Sequence, residues 1–173
     1  MNQSQGTHAV NARTLTVSWD DPMPGAKQAA GMSGREYLTA MMEGRIPAPP
    51  IAKLLGFHLA EIGEGFAVFE CTPGEQHYNP IGVVHGGLAC TLLDSAMGCS
   101  VHTVLPAGAA YTTLEVKVNL VRAITTTSGL LRAEGRVVHA GKRMATSEGR
   151  LLDPAGKLYA HATTTCMVFP AAT

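Results

Sequence analysis

From Gly86 to Leu105 the chain holds a single charged residue, Asp94. Leu88, Cys90, Leu92, Leu93, Met97, Val101 and Val104 occupy most of the circumference of a helix drawn through this stretch. A helix that is apolar nearly all round has no face for water, so other elements must wrap it. A membrane span is the competing reading. Its length would be marginal against the roughly 20 apolar residues a span needs, and a carboxylate near the middle would be costly in lipid. Glycines, serines, threonines and His102 interrupt the stretch, and no Lys or Arg flanks it. We read it as a helix buried in protein.

The flanking segments supply the wrapping. Thr113 to Val121 alternates, with Leu114, Val116, Val118 and Leu120 on one face and Glu115, Lys117 and Asn119 on the other, the period of a half-buried strand. Leu130 to Ala140, Arg143 to Leu152 and Leu158 to Phe169 read as three further strands, the last two joined by the turn Asp153-Pro154-Ala155-Gly156. Gly65 to Cys71 reads as a strand before the helix. Earlier still, Ser33 and Glu36 form a capping-box pattern ahead of Tyr37, Leu38, Met41 and Met42. The helix they open is stopped by Pro47, Pro49 and Pro50, and Ile51 to Leu55 reads as one more helical turn. Thr14 to Trp19 is a candidate short strand, Asp20 to Gly31 a linker, and residues 1–13 an unpatterned, disordered start. The expected organisation is a flexible segment over 1–32, a helical extension over 33–50 and one domain over 51–170. Its class is α+β, an antiparallel sheet curled around one long buried helix.

At 173 residues the chain is long enough for one domain of ordinary size. Thirteen basic and thirteen acidic residues cancel, and no basic face stands out, so nucleic acid is not an expected partner. Only 15% of residues are charged, against about 25% in a typical soluble domain. A surface so poor in charge would be sticky unless copies of the chain cover it. Cys71, Cys90, Cys99 and Cys166 have no metal or redox spacing and read as reduced thiols. The first thirty residues lack a signal-peptide layout. These features point to the cytoplasm.

The charge deficit has a location. Between Glu75 and Glu115 lie 39 residues, and Asp94 is the only Asp, Glu, Lys or Arg among them. A lone carboxylate there either bonds nearby backbone or is a catalytic acid, base or nucleophile in deliberately dry surroundings. Gly87, Thr91, Asp94, Gly98 and His102 fall on one small, polar helical stripe, where another group can come close. His85-Gly86-Gly87 opens the helix. Its first N–H groups have no intrahelical partner and, with the helix dipole, could stabilise an oxyanion. Gly87 and Asp94 are seven residues apart, about 10 Å at 1.5 Å per residue. Both cannot serve one carbonyl within a chain, so a site using both draws them from two subunits of a twofold dimer.

The run Asn79 to Gly98, N-P-I-G-V-V-H-G-G-L-A-C-T-L-L-D-S-A-M-G, resembles the signature of hotdog-fold thioesterases of the phenylacetate-degradation (PaaI-like) type. The segments T-T-L-E-V-K-V-N, G-R-V-V-H-A-G-K-R and D-P-A-G-K-L are similar to that family too, so the likeness spans about residues 50–169. It implies a hotdog fold and hydrolysis of an acyl-CoA thioester to free acid and CoA, with no metal and no cofactor beyond the CoA of the substrate. It implies that Asp94 is the nucleophile or general base and that the Gly87 N–H is the oxyanion donor. Asn79 would hold the attacking water or the thioester, His85 would orient the loop, and Thr113, or Thr112 in its stead, would place a hydroxyl by the water. Gly86 would border the substrate. Gly141, Lys142 and Arg143, with His139 and Arg136, would lie near the CoA phosphates, or else form a plain solvated turn. The expected assembly is a homodimer, paired further into a dimer of dimers. Two other readings stand beside this one: an acyl-thioester hydratase on the same fold, and an acyl-CoA-binding protein without catalysis.

Overall fold

The computed structural model describes residues 12–171. The expectation of disorder for residues 1–11 lies outside that range. The elements in order are α1 (Met23–Ala29), α2 (Gly34–Met42), α3 (Pro50–Leu55), β1 (Phe57–Gly63), β2 (Phe66–Cys71), α4 (Gly86–His102), β3 (Ala109–Leu120), β4 (Leu131–Ala140), β5 (Met144–Leu152) and β6 (Leu158–Pro170). All six strands form one antiparallel sheet in the order β1-β2-β4-β5-β6-β3. The sheet curls around α4, which contacts every strand. Leu92, Leu93, Ala96, Met97 and Val101 of α4 are fully enclosed. Among the described residues no helix is long and apolar enough to cross a membrane.

Two glycines set how deeply the helix sits. A Cβ on Gly135 of β4 would stand 2.2 Å from the Ala96 carbonyl oxygen and 2.6 Å from the Met97 nitrogen. Here strand backbone lies directly on helix backbone, and no side chain can be inserted. On β5, a Cβ at Gly149 would first meet side-chain atoms, Met97 Cγ at 2.9 Å and Leu93 Cδ2 at 3.0 Å.

Three local expectations are corrected, and one strand was not foreseen. Residues 57–63 form a strand, β1, that simple alternation does not reveal, because a bulge shifts its register between Leu59 and Glu61. Thr14 to Trp19 forms no strand, although Arg13 beside it donates from Nε to Glu75 Oε2 at 3.0 Å. In the expected linker stands α1, started by Asp21 Oδ1, which accepts from the Met23 N–H at 2.9 Å, and by a proline in the first turn, where its missing N–H costs nothing. Helix α2 has the expected Ser33–Glu36 capping box but ends before the prolines. Gly44, at φ 73°, turns the chain so that Arg45 and Ile46 donate back to the Ala40 carbonyl.

The alternation of β3 is also interrupted. Opposite β6, Thr113 pairs with Cys166 and Glu115 with Thr165, leaving Leu114 as an extra residue. The bulge exchanges the two faces. Val116 and Val118 pack on the core, but Leu114 and Leu120, expected beside them, are exposed. Tyr111 and Thr113 turn inward instead.

Candidate active site

Asp94 sits in the middle of α4, half-buried. Its Oδ1 accepts from the Thr113 hydroxyl at 2.9 Å. The inward turn of Thr113 comes from the β3 bulge; Thr112, the alternative hydroxyl, is exposed. Around this pair stand groups that sequence reasoning did not single out for the site. The Tyr111 phenol is pushed well above its usual range, first by burial and then by neighbouring Cys99, Cys166 and Asp94. Burial pushes the Cys99 thiol up to about 12, and burial raises that of Cys166 as well. These thiols stay protonated at neutral pH and add no charge to this pocket. The one hint of Tyr111 in the sequence is its place two residues before Thr113, on the same side of a strand.

The start of α4 forms a second locus. His85 is the N-cap, and its Nδ1 accepts from the Gly87 N–H at 2.9 Å. The expected oxyanion donor is therefore already bonded in the isolated chain. Because Nδ1 accepts, a neutral His85 carries its hydrogen on Nε2. Asn79 closes the preceding loop, its Oδ1 accepting from the N–H groups of Ile81 and Val83 at 3.1 and 3.3 Å. Gly86 is approached by the chain itself: a Cβ there would stand 2.5 Å from Leu120 Cδ1. Asn79, Gly86, Leu120 and Arg122 line a groove of about 330 Å³.

A third locus is the hairpin turn between β4 and β5, closed by the Gly141 N–H to the Met144 carbonyl at 2.8 Å. Lys142 and Arg143 border an open groove of about 900 Å³, whose walls include Leu114, Met144, Met167 and Phe169. His139 is exposed with its ring beside Gly141. Arg136 is engaged elsewhere, its guanidinium 4.2 Å above the Phe66 ring. Within one chain, Asp94 and Thr113 come together, while Gly87, His85 and Asn79 gather at the start of α4 and the basic turn lies at a hairpin. Among the described residues no group of three or more His, Cys, Asp or Glu could hold a metal.

The model of the Thioesterase superfamily matches residues 81–160. Among solved structures, the phenylacetic acid degradation-related protein of Ralstonia eutropha JMP134 is 31% identical, with a TM-score of 0.69 over 76% of this chain and 98% of its own. The E. coli PaaI protein, from the phenylacetic acid degradation operon, is 24% identical, with a TM-score of 0.67 over 88% of this chain and 99% of its own. A hypothetical thioesterase protein of Streptococcus pneumoniae TIGR4, solved with coenzyme A, is 23% identical, with a TM-score of 0.60 over 68% and 88%. No curated protein matches the chain. The sheet wrapped around α4 and these matches place the chain in the hotdog-fold thioesterase superfamily, as a PaaI-like member.

Proposed function

We propose that the protein hydrolyses an acyl-CoA thioester, with Asp94 as the reacting carboxylate. The observation that carries this reading is the Thr113–Asp94 hydrogen bond, which holds a half-buried carboxylate on the wrapped helix. As general base, Asp94 takes a proton from water. The hydroxide adds to the thioester carbon, and the tetrahedral oxyanion collapses by expelling CoA thiolate, which takes up the proton. As nucleophile, Asp94 first displaces the thiolate to form an anhydride, which water then opens. Either route needs little help for the leaving group, because a thiolate departs readily. The harder tasks are creating the nucleophile and stabilising the oxyanion. Single-turnover hydrolysis in ¹⁸O water separates the routes, since only the anhydride route can put label into Asp94.

The oxyanion donor in this reading is Gly87 of the partner subunit, because the chain's own Gly87 lies about 10 Å along the helix from Asp94. The substrate carbonyl displaces His85 Nδ1 from that N–H, a bond that lies exposed and is open to exchange. The freed imidazole and Asn79 orient the loop. Strand β3 supports the pairing. It is twelve residues long and stands at the sheet edge, with Leu114, Leu120 and Val121 exposed along it and beyond it. An edge this long invites a second strand. We assign a homodimer, paired again into a dimer of dimers, in the reducing cytoplasm that suits four unpaired thiols. Lys142 and Arg143 take the CoA phosphates as point and forked cations, with Gly141 and His139 shaping the turn. The coenzyme A bound by the S. pneumoniae structure supports this ligand class.

Release of free thiol from acyl-CoA tests the proposal. Asp94→Asn should lower turnover by about 10²- to 10⁴-fold with its thermal transition intact. Near-wild-type turnover by that folded variant would refute the assignment. The capped Gly87 N–H favours one second reading, binding of acyl-CoA without turnover. Tight binding with no thiol released by any subunit assembly would establish it.

A further inference from the structure

The β3 bulge aims Thr113 at Asp94, and a side chain of the neighbouring strand grips it. Leu114 is the extra residue, and the next carbonyl in the chain, that of Glu115, accepts from the Thr164 hydroxyl at 2.7 Å. A bulge disrupts the ladder around its extra residue, and a backbone polar group there needs a partner where water cannot reach it. Thr164 is 2% exposed and stands on the inward face of β6. It lies opposite Val116, while Cys166, two residues on and on the same face, lies opposite Thr113. Cys166 is fully enclosed, and both threonine hydroxyls come close enough to act on its thiol by hydrogen bonding. On its other side Thr164 pairs with Ser147 of β5. The Ser147 and Ser100 hydroxyl oxygens are 2.8 Å apart, and Ser100 donates to the Met97 carbonyl at 2.6 Å. Thr164, Ser147 and Ser100, all buried, thus form a row of hydroxyls from the β3 bulge across β6 and β5 to α4, the helix that carries Asp94.

We propose that Thr164 is a positioning residue for the hydrolysis: by holding the Glu115 carbonyl it keeps the β3 bulge in place and Thr113 aimed at Asp94. This rests on the thioesterase reading given above. Two hydroxyls that bond only each other can be exchanged for apolar groups of the same shape at little cost, but a backbone carbonyl cannot be exchanged. Once β3 is bulged at Leu114, the hydroxyl opposite is needed. Without it the Glu115 carbonyl loses that partner, and the strand recovers pairing by letting the bulge straighten or slide. A slip of one residue turns the side chains beyond it to the other face. Thr113 then leaves α4, and Asp94 loses the hydrogen bond that holds it. Thr164 acts through Thr113, so its removal falls on turnover and not on the capture of substrate.

The test is thiol release from acetyl-, butyryl-, hexanoyl-, octanoyl- and lauroyl-CoA, followed on the best of the five. Thr164→Val keeps the shape and removes the hydroxyl. It should lower kcat by about tenfold, the smaller end of what losing a hydrogen bond to a carboxylate does, and leave KM within about twofold. Thr164→Ser should keep most of the rate, and Thr163→Val, the same exchange at the exposed neighbouring position, should change nothing. Thr113→Val combined with Thr164→Val should be no slower than Thr113→Val alone, because the second change acts through the first. A general loosening of the core would instead slow the double variant further and would not be rescued by serine. Wild-type kcat in folded Thr164→Val, or losses that multiply in the double variant, overturns the role. Thr164→Ala serves if the valine variant does not fold, and failure of both to fold overturns the role, since the hydroxyl then serves the whole fold. If the wild type releases thiol from none of the five, the thioesterase reading fails. A crystal structure of Thr164→Val, or of Thr164→Ala in its stead, then decides the positioning alone. A Thr113 hydroxyl beyond hydrogen-bond reach of Asp94 supports it, and an unchanged bulge with the bond intact overturns it.

Discussion

The Thr113 hydroxyl reaches Asp94 Oδ1, at 2.9 Å, because Leu114 is an extra residue in β3. In a strictly alternating strand Thr113 shares a face with Glu115 and Lys117. The bulge puts it on the same side as Val116 and Val118, facing α4. Re-aiming a side chain is a recognised use of a bulge beside a functional site.

Removing the hydroxyl should therefore be felt in the chemistry. A hydrogen bond to a charged group contributes about 1.5–3 kcal/mol, so Thr113→Val should lower kcat by roughly 10- to 100-fold. Thr113→Ser should keep most of the rate, and Thr112→Val should have little effect. Steady-state thiol release by the three variants checks this ordering.

Gly135 and Gly149 should respond differently to the same substitution. Gly135→Ala drives a methyl into the Ala96 carbonyl, where backbone lies on both sides. It should cost about 3 kcal/mol or more, the upper part of the overpacking range. Gly149→Ala meets side-chain atoms of Met97 and Leu93, which can shift where backbone cannot, and should cost about 1–2 kcal/mol. Urea midpoints at constant m-value measure both. Equal losses would mean that β4 can retreat from the helix.

His102 should make stability depend on pH. Burial holds its folded-state pKa below the ordinary value, so the neutral ring is the form that folds. The contribution is fully present above the unfolded-state pKa of about 6.5. It is lost as pH falls from there to the depressed folded-state value, because the unfolded chain binds the extra proton. His77, also depressed by burial, acts in the same direction. Tm should fall between pH 7 and pH 5, and His102→Phe should flatten but not abolish the slope. An unchanged slope in that variant would show that His102 does not contribute.

If the donor and the carboxylate belong to different subunits, activity should depend on concentration. Specific activity should decline on dilution below the dimer dissociation constant, while far-UV circular dichroism stays constant. Sedimentation at the same concentrations should show the dimer disappearing in parallel. A fully active monomer would exclude the shared site.

The buried helix was legible because nothing else explains twenty residues with one charge, and with it the wrapped-sheet class. The Ser33–Glu36 cap and the Asp153–Gly156 turn were legible as local chemistry: Asp153 Oδ1 accepts from the N–H groups of Ala155 and Lys157, and Gly156 has φ 79°. The bulges were not legible. They arise between strands, at Leu59/Glu61, Thr113/Glu115 and Val137/His139, and no single segment encodes its partner's register. That hid β1 and misassigned the faces of β3. At the site, Asp94 stood out by its isolation, whereas Tyr111 and Cys99 gave no comparable signal. Their meeting depends on how close Gly98 lets the strand come. The His85 cap on Gly87 was hidden for a different reason, since glycines announce a free helix start and the structure fills it with a neighbouring imidazole.

The strand order has a consequence for how the chain is made. Among the described residues β3 pairs with β6 alone, the last of the six strands in chain order, and Thr113 lies directly opposite Cys166. A nascent chain emerging from the ribosome has α4 and β3 complete while the neighbour that holds β3 in register is still missing. Its most apolar helix is then uncovered by β4, β5 and β6 alike. A stop codon or proteolytic cut between Leu120 and Leu158 should leave Asp94 and Thr113 present but never introduced to each other, in a fragment with every reason to aggregate.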